Sequence, residues 1–291
     1  MASRVFGLVR PRSAAGPYAY IWQRLVRRTA RCFFAMLLGS ATALPTAAAQ
    51  EAPSNEFSAA SSSSIKATRT QTTIRLQILQ AAKKLRVPRL ASPIRSLAWS
   101  DGFNDTLTLK PEPDVWEISF GRQQALGKTL VLKLGASPQL IDEMQPITSQ
   151  ADGSYWLPAH LAETAGDKIR YEPQPFKNTV GYWTGISDSA KWTFKLEKPG
   201  SFNIGLLQGC GEGQGGSLAK MIVVAEDRKT STQELSFEVE ETGHFQDFRW
   251  RHLDRIELER PGLYTLRIVP ERIAKNALMD VRAVHLIRLP D

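Results

Sequence analysis

Residues 191–217 read KWTFKLEKPGSFNIGLLQGCGEGQGGS, and this run decides the fold class. Trp192, Phe194 and Leu196 alternate with Lys191, Thr193, Lys195 and Glu197, the period-two pattern of a strand with one buried face. Pro199-Gly200 suits a tight turn, because proline presets a negative φ and glycine tolerates a positive one. Phe202, Ile204 and Leu206 then resume the alternation, which ends in the glycine-rich run 209–216. The device returns where Arg260-Pro261-Gly262-Leu263-Tyr264 follows Ile256-Glu257-Leu258-Glu259. Two such hairpins each carry an apolar face that must be covered, which predicts two packed antiparallel sheets and an all-β sandwich.

Outward from this run the strand signals are regular. Segments 168–172, 180–184, 190–197, 201–207, 218–225, 234–240, 253–259, 263–269 and 279–287 are short, apolar in alternation and bounded by Gly, Pro, Asn or Asp. In the last, Met279 and Val281 share one phase and Val284 and Leu286 the other, so a bulge is expected near Ala283. Together these strands form a β-sandwich domain over residues 151–291. Residues 97–150 read as a small β-subdomain with strands at 106–109, 115–120 and 129–134, the last two placed to pair across the turn between them. Residues 68–96 read as a basic amphipathic helix and a proline-rich connection, with Ile74, Ile78, Ala82 and Leu85 on one face. Residues 50–67, rich in Ser and Ala, read as a flexible linker.

The formal charge of +8 is misleading until the first 49 residues are set aside. They hold seven arginines and no acid, then an apolar run and Thr46-Ala47-Ala48-Ala49, the form of a secretory signal peptide. Its removal leaves a charge of +1 and predicts a secreted, periplasmic or cell-surface protein. The basic balance therefore does not argue for nucleic acid. Residues 57–100 keep eight basic side chains and no acid, and segment 66–95 is a candidate for an acidic surface partner. Cys210 is the only cysteine beyond the leader and is expected to pack as a small apolar residue.

Catalytic patterns are missing. Gly211-Glu212-Gly213-Gln214-Gly215-Gly216 spells G-x-G-x-x-G, but a strand follows where a dinucleotide site needs a helix N-terminus. His160, His244, His252 and His285 show no ligand spacing, and the pairs Glu238/Glu240 and Glu257/Glu259 fall on solvated strand faces. What the loops do offer is aromatic planes beside amides and acids, the needs of a site for a neutral polyol. Two loops fit: NTVGYWT at 178–184, with Tyr182 and Trp183, and TGHFQDF at 242–248, with Phe245, Gln246 and Asp247.

Residues 157–288 also resemble a known module. LPA at 157–159, IRYEPQPFKNTVGYW at 169–183, KPGSF at 198–202, CGEGQGGS at 210–217, TGHFQDF at 242–248, RPGLY at 260–264 and MDVR at 279–282 occur in the order seen in the β-sandwich appended to secreted bacterial sulfatases and α-L-fucosidases. The run is similar, more distantly, to family-six carbohydrate-binding modules, which implies a galactose-binding-like jelly roll. The resemblance implies that Phe245 stacks on sugar and that a structural calcium lies between an early-strand acid, here Glu163, and a final-strand acid, here Asp280. The usual binding asparagine is replaced by Leu278-Met279, with Asn276 nearby. Neither the sulfatase C-x-P-x-R string nor room for a fucosidase barrel is present, so the resemblance implies a non-catalytic protein that binds polysaccharide, anionic or fucose-containing polymers included. Two alternatives stand beside it: a structural or protein-interaction module at the cell surface, and a remnant or partner of a secreted sulfatase or fucosidase. A hydrolase using Asp247 or Glu212 would need a deep cleft with facing carboxyl groups.

Overall fold

The alternation at 191–207 does form two strands, but they belong to different sheets. The computed structural model describes residues 55–102, 105–121, 125–227 and 232–290. The signal peptide expected over 1–49 lies outside them. Eight strands precede residue 141: β1 (Asn55–Glu56), β2 (Ile65–Arg69), β3 (Thr73–Ile78), β4 (Lys84–Pro88), β5 (Ile94–Trp99), β6 (Leu107–Pro111), β7 (Val115–Phe120) and β8 (Thr129–Leu134). They make a sheet in the order β1-β2-β3-β8-β5 and a second in the order β4-β7-β6. The two sheets share a core in which Trp99 meets Phe120 edge-on at 5.7 Å.

The basic helix expected at 68–86 is therefore corrected to strands. The helical reading counts Ile74, Ile78, Ala82 and Leu85 and leaves Leu76 outside, yet Leu76 is fully buried. Ile74, Leu76 and Ile78 all point inward in period two, and pairing with Leu130 and Leu132 of β8 decides the outcome over local helical spacing. The linker expected at 50–67 is corrected over 55–67, where Phe57, Ala60 and Ile65 are core residues. Strands β7 and β8 do not pair with each other, because each is taken by other neighbours: β7 by β4 and β6, β8 by β3 and β5. The first sandwich thus runs across the boundary expected at residue 97. The cations of segment 66–95 divide between two sheets, and Arg89 is buried, so they form no single basic face.

Eleven further strands follow: β9 (Tyr155–Pro158), β10 (Glu163–Ala165), β11 (Arg170–Glu172), β12 (Thr179–Gly181), β13 (Ser189–Leu196), β14 (Gly200–Gly209), β15 (Leu218–Ala225), β16 (Gln233–Glu238), β17 (Arg249–Leu258), β18 (Gly262–Arg272) and β19 (Asp280–Arg288). One sheet has the order β10-β13-β18-β15-β16, and the other β11-β12-β19-β14-β17 with β9 added beside β19. Tyr155 of the second sheet packs on Phe194 of the first at 5.1 Å, and the Trp192 indole N–H crosses to the carbonyl of Pro158 at 2.8 Å. This is a β-sandwich.

The two Pro-Gly turns are arches between its sheets and not hairpins. Leu196 pairs with Gly262 in one sheet, and Gly200 pairs with Leu258 in the other, so both turns carry the chain across the core side by side. An arch keeps Leu196 and Phe202 facing the same interior from opposite sides, whereas a hairpin would put both on one sheet. The bulge expected near Ala283 is present: Leu207 faces Ala283 but Gln208 faces Val281, which leaves Arg282 as the extra residue. Val281 and Val284 are consequently both buried.

The sandwiches meet through Trp116 and Tyr171, with ring centroids 6.5 Å apart, and through Arg89, which donates to the carbonyl of Ala162 at 2.5 Å. Burial lowers the Arg89 pKa to about 10, and the Tyr171 ring, 5.4 Å from its guanidinium, covers it.

Candidate functional site

Three segments converge at the loop end of the second sandwich. Glu172 of β11, the segment 173–184 that contains β12, and the start of β19 form one side, and the loop 242–248 forms the other. Between them lies a cleft of about 220 Å³ lined by Glu172, Lys177, Tyr182, Thr184, Phe245, Gln246, Ala277 and Asp280.

Its aromatic walls are built by glycine and by strain. Phe245 lies on the glycine-rich run that resembled a nucleotide motif: a Cβ at Gly209 would stand 2.1 Å from the Phe245 carbonyl oxygen, and one at Gly211 would stand 2.8 Å from its ring. The Gly211–Gly243 bridge and the Thr242 hydroxyl, which donates to the Cys210 carbonyl at 3.0 Å, hold the loop there. Phe245 is half-buried and Tyr182 is 41% exposed. Tyr182 has φ 62°, a left-handed conformation that costs a non-glycine residue about 1–3 kcal/mol and is kept where the surroundings over-determine it. Those surroundings include the Arg170 guanidinium, 3.5 Å from the Tyr182 ring centroid.

The floor is a pair of buried carboxyl groups. Asp280 and Glu172 are 5% and 3% exposed and sit where Gly181 has no side chain, since a Cβ there would lie 2.7 Å from Asp280 Oδ1 and 3.0 Å from Glu172 Oε2. Glu172 is paired with the Lys177 ammonium. Burial, and then the neighbouring Glu172 charge, push Asp280 up to about 8, against the opposing pull of Lys177, a Gln246 hydrogen bond and Arg282. Below that pH Asp280 is a hydrogen-bond donor beside a carboxylate acceptor and an ammonium donor, a set that matches a ligand rich in hydroxyl groups.

The bulged residue ties both walls together. Arg282 donates to the carbonyls of Phe176 at 3.0 Å and Lys177 at 2.6 Å, and its guanidinium lies 3.7 Å from the Phe248 ring centroid. We expect Arg282→Ala to loosen segment 173–178 from the bulge by removing the charge-assisted hydrogen bonds that hold it. Limited proteolysis within 173–178 should accelerate in the same variant. Arg282→Lys should not rescue this effect, because a single ammonium cannot replace the fork.

Other expected site residues stand elsewhere. Trp183 is fully buried with its indole N–H on the carbonyl of Val180 at 3.1 Å, so it is a core residue and not a platform. Asp247 is exposed and paired with Arg249 at 2.9 Å, outside the cleft. Asn276 is exposed, with its backbone N–H on the Gln214 side chain, while its neighbour Ala277 lines the cleft. Glu163 is on β10 of the opposite sheet, paired with Lys191 at 2.9 Å, and the acid beside Asp280 is Glu172. The Glu163–Asp280 calcium pair is therefore not assembled, and among the described residues no three His, Cys, Asp or Glu side chains group as a metal site. Glu172, Lys177 and Arg282 fall within the stretches 169–183 and 279–282 that carry the resemblance, but the sequence gives them no role, which emerges only when the strands bring them together. Cys210 packs as expected, buried, with its thiol raised to about 11 chiefly by desolvation.

No protein-family profile and no curated protein matches the chain. Among solved structures it is similar to an α-L-fucosidase from Vibrio sp. strain EJY3 at 9% identity and TM-score 0.32, over 76% of this chain and 39% of that one. It is similar to a family 35 carbohydrate-binding module from Clostridium thermocellum at 12% identity and TM-score 0.33, over 47% and 98% of the two chains. A third is a family 61 carbohydrate-binding module in complex with β-1,4-galactotriose, at 18% identity and TM-score 0.29, over 44% and 88%.

Proposed function

We propose that this is an exported protein that binds polysaccharide, without catalysis, in the cleft between Tyr182 and Phe245. The observation that carries the reading is the pairing of two accessible aromatic rings with a buried floor of Asp280, Glu172 and Lys177 in one shallow space. Aromatic planes accept the C–H face of a sugar ring, and the floor supplies both donors and acceptors for its hydroxyl groups. The volume of about 220 Å³ is below that of typical small-molecule pockets and suits one sugar unit at the end or side of a chain. Shallow sites of this kind bind at roughly millimolar to micromolar strength. The leader-like residues 1–49 support export.

Affinity electrophoresis through gels containing neutral, sulfated or fucosylated polysaccharide tests the reading. At least one polymer should retard the protein, and Tyr182→Ala with Phe245→Ala should remove the retardation that the cleft contributes. If the double variant migrates as the unsubstituted protein does on every retarding polymer, the cleft is not the site.

A further inference from the structure

A second aromatic surface lies on the solvent face of the β11-β12-β19-β14-β17 sheet, away from the loops. Trp156 of β9 stands beside His285 of β19, His285 beside Gly205 of β14, and the β17 residue Trp250 reaches back over that glycine. The Trp156 and Trp250 centroids are 5.8 Å apart, and His285 is 5.4 Å from Trp156 and 6.4 Å from Trp250. A Cβ at Gly205 would stand 3.3 Å from Trp250 Cζ3, so the bare backbone is what seats the indole close to the sheet. Trp156 and His285 prop it from the side. Burial pushes the His285 imidazole down against the opposing pull of Asp152, which favours the uncharged ring as the prop. None of these residues lines the loop cleft.

We propose that Trp250, propped by Trp156 and His285, is a second carbohydrate platform that stacks on one sugar ring of a polysaccharide chain. The indole is 46% exposed although its neighbours in β17 are polar or charged, among them Arg249, Arg251, His252 and Asp254. Among the described residues Trp250 is the one large apolar side chain left exposed on the strands of this sheet, so the face lacks the contiguous apolar patch that marks a protein interface. One rigid ring-sized apolar plane within a polar surround matches the C–H face of a pyranose. Its position on paired strands means that no loop has to order on binding. With the loop cleft it would give one molecule two contacts on one polymer, and weak contacts on one chain reinforce each other through effective concentration.

The test compares Trp250→Ala, Trp250→Phe, the Tyr182→Ala/Phe245→Ala variant and all three alanine substitutions together, in gels containing hydroxyethyl cellulose, dextran sulfate or xyloglucan. The inference expects Trp250→Ala to weaken retention about tenfold on at least one polymer, Trp250→Phe to fall between, and residual retention of the loop variant to vanish in the triple variant. Circular dichroism and sedimentation velocity on the same proteins should show unchanged fold and mass. Retention of Trp250→Ala equal to that of the unsubstituted protein on every retarding polymer overturns the inference and leaves the cleft reading standing. Loss with Trp250→Ala but none with the loop variant does the reverse. A change of mass with Trp250→Ala would overturn the inference in favour of self-association, and no retention on any polymer would overturn both readings.

Discussion

Raising the pH from 5 to 8 is expected to strip from this protein the stability that the proton on Asp280 carries, and Asp280→Asn is expected to remove that loss, while half-buried His160, held down to about 4, acts in the opposite sense in both proteins. In the unfolded chain an aspartate gives up its proton near pH 3.9, whereas in the fold burial and the adjacent Glu172 hold Asp280 up to about 8. Between those values the folded state keeps a proton that the unfolded state has released, so the contribution of Asp280 to stability falls as pH rises. The loss begins near pH 4 and is complete above about pH 8. Each pH unit inside the window costs about 1.4 kcal/mol, hence up to about 4 kcal/mol from pH 5 to pH 8, a large share of the stability of an ordinary domain. Asparagine keeps the shape and cannot ionise. Urea midpoints at pH 5, 6, 7 and 8 should therefore diverge between the two proteins, with the variant the more stable at pH 8. Curves that stay parallel would mean that Asp280 is ionised in the fold throughout.

Trp183→Ala and Phe245→Ala are expected to separate stability from binding. Trp183 is fully buried and hydrogen-bonded to Val180, so truncation leaves a large cavity and removes one of the hydrogen bonds to that carbonyl, at a cost of about 3–5 kcal/mol. Phe245 is half-buried on Gly211, and its removal should cost about 1 kcal/mol. Denaturant unfolding followed by circular dichroism reads the first effect, and retention on polysaccharide at a temperature where both variants are folded reads the second. A stable Trp183→Ala protein that had lost binding would put the platform at Trp183 after all.

Much of the second sandwich is legible in the sequence because its strands alternate cleanly between turn residues. The span 218–225 coincides with β15, and the phase change at Ala283 marks the bulge at Arg282. The Pro-Gly turns point to two sheets by a different route from the one they take, since alternation on either side of a turn does not say whether the strands pair or cross. The first sandwich is less legible. Apolar residues at 74, 76, 78, 85 and 87 suit a helix or two strands, and the contacts that decide between them come from distant strands, β8 and β7, and not from sequence neighbours. At the site, the adjacent pair Tyr182-Trp183 shows the limit of local reading: successive residues turn to opposite sides, and only the packed structure says which one reaches solvent. The floor is less legible still. Glu172, Lys177 and Asp280 meet because Gly181 leaves room between strands β11, β12 and β19, a fact of register and not of spacing.

The most direct measurement of the central claim is a chemical-shift titration of the isotope-labelled protein with an oligosaccharide cut from whichever polymer retains it. Binding in the cleft predicts its largest backbone shifts at residues 177–184, 242–248 and 277–280, and their loss in Phe245→Ala. An oligosaccharide that binds while leaving those three segments unmoved would contradict the account.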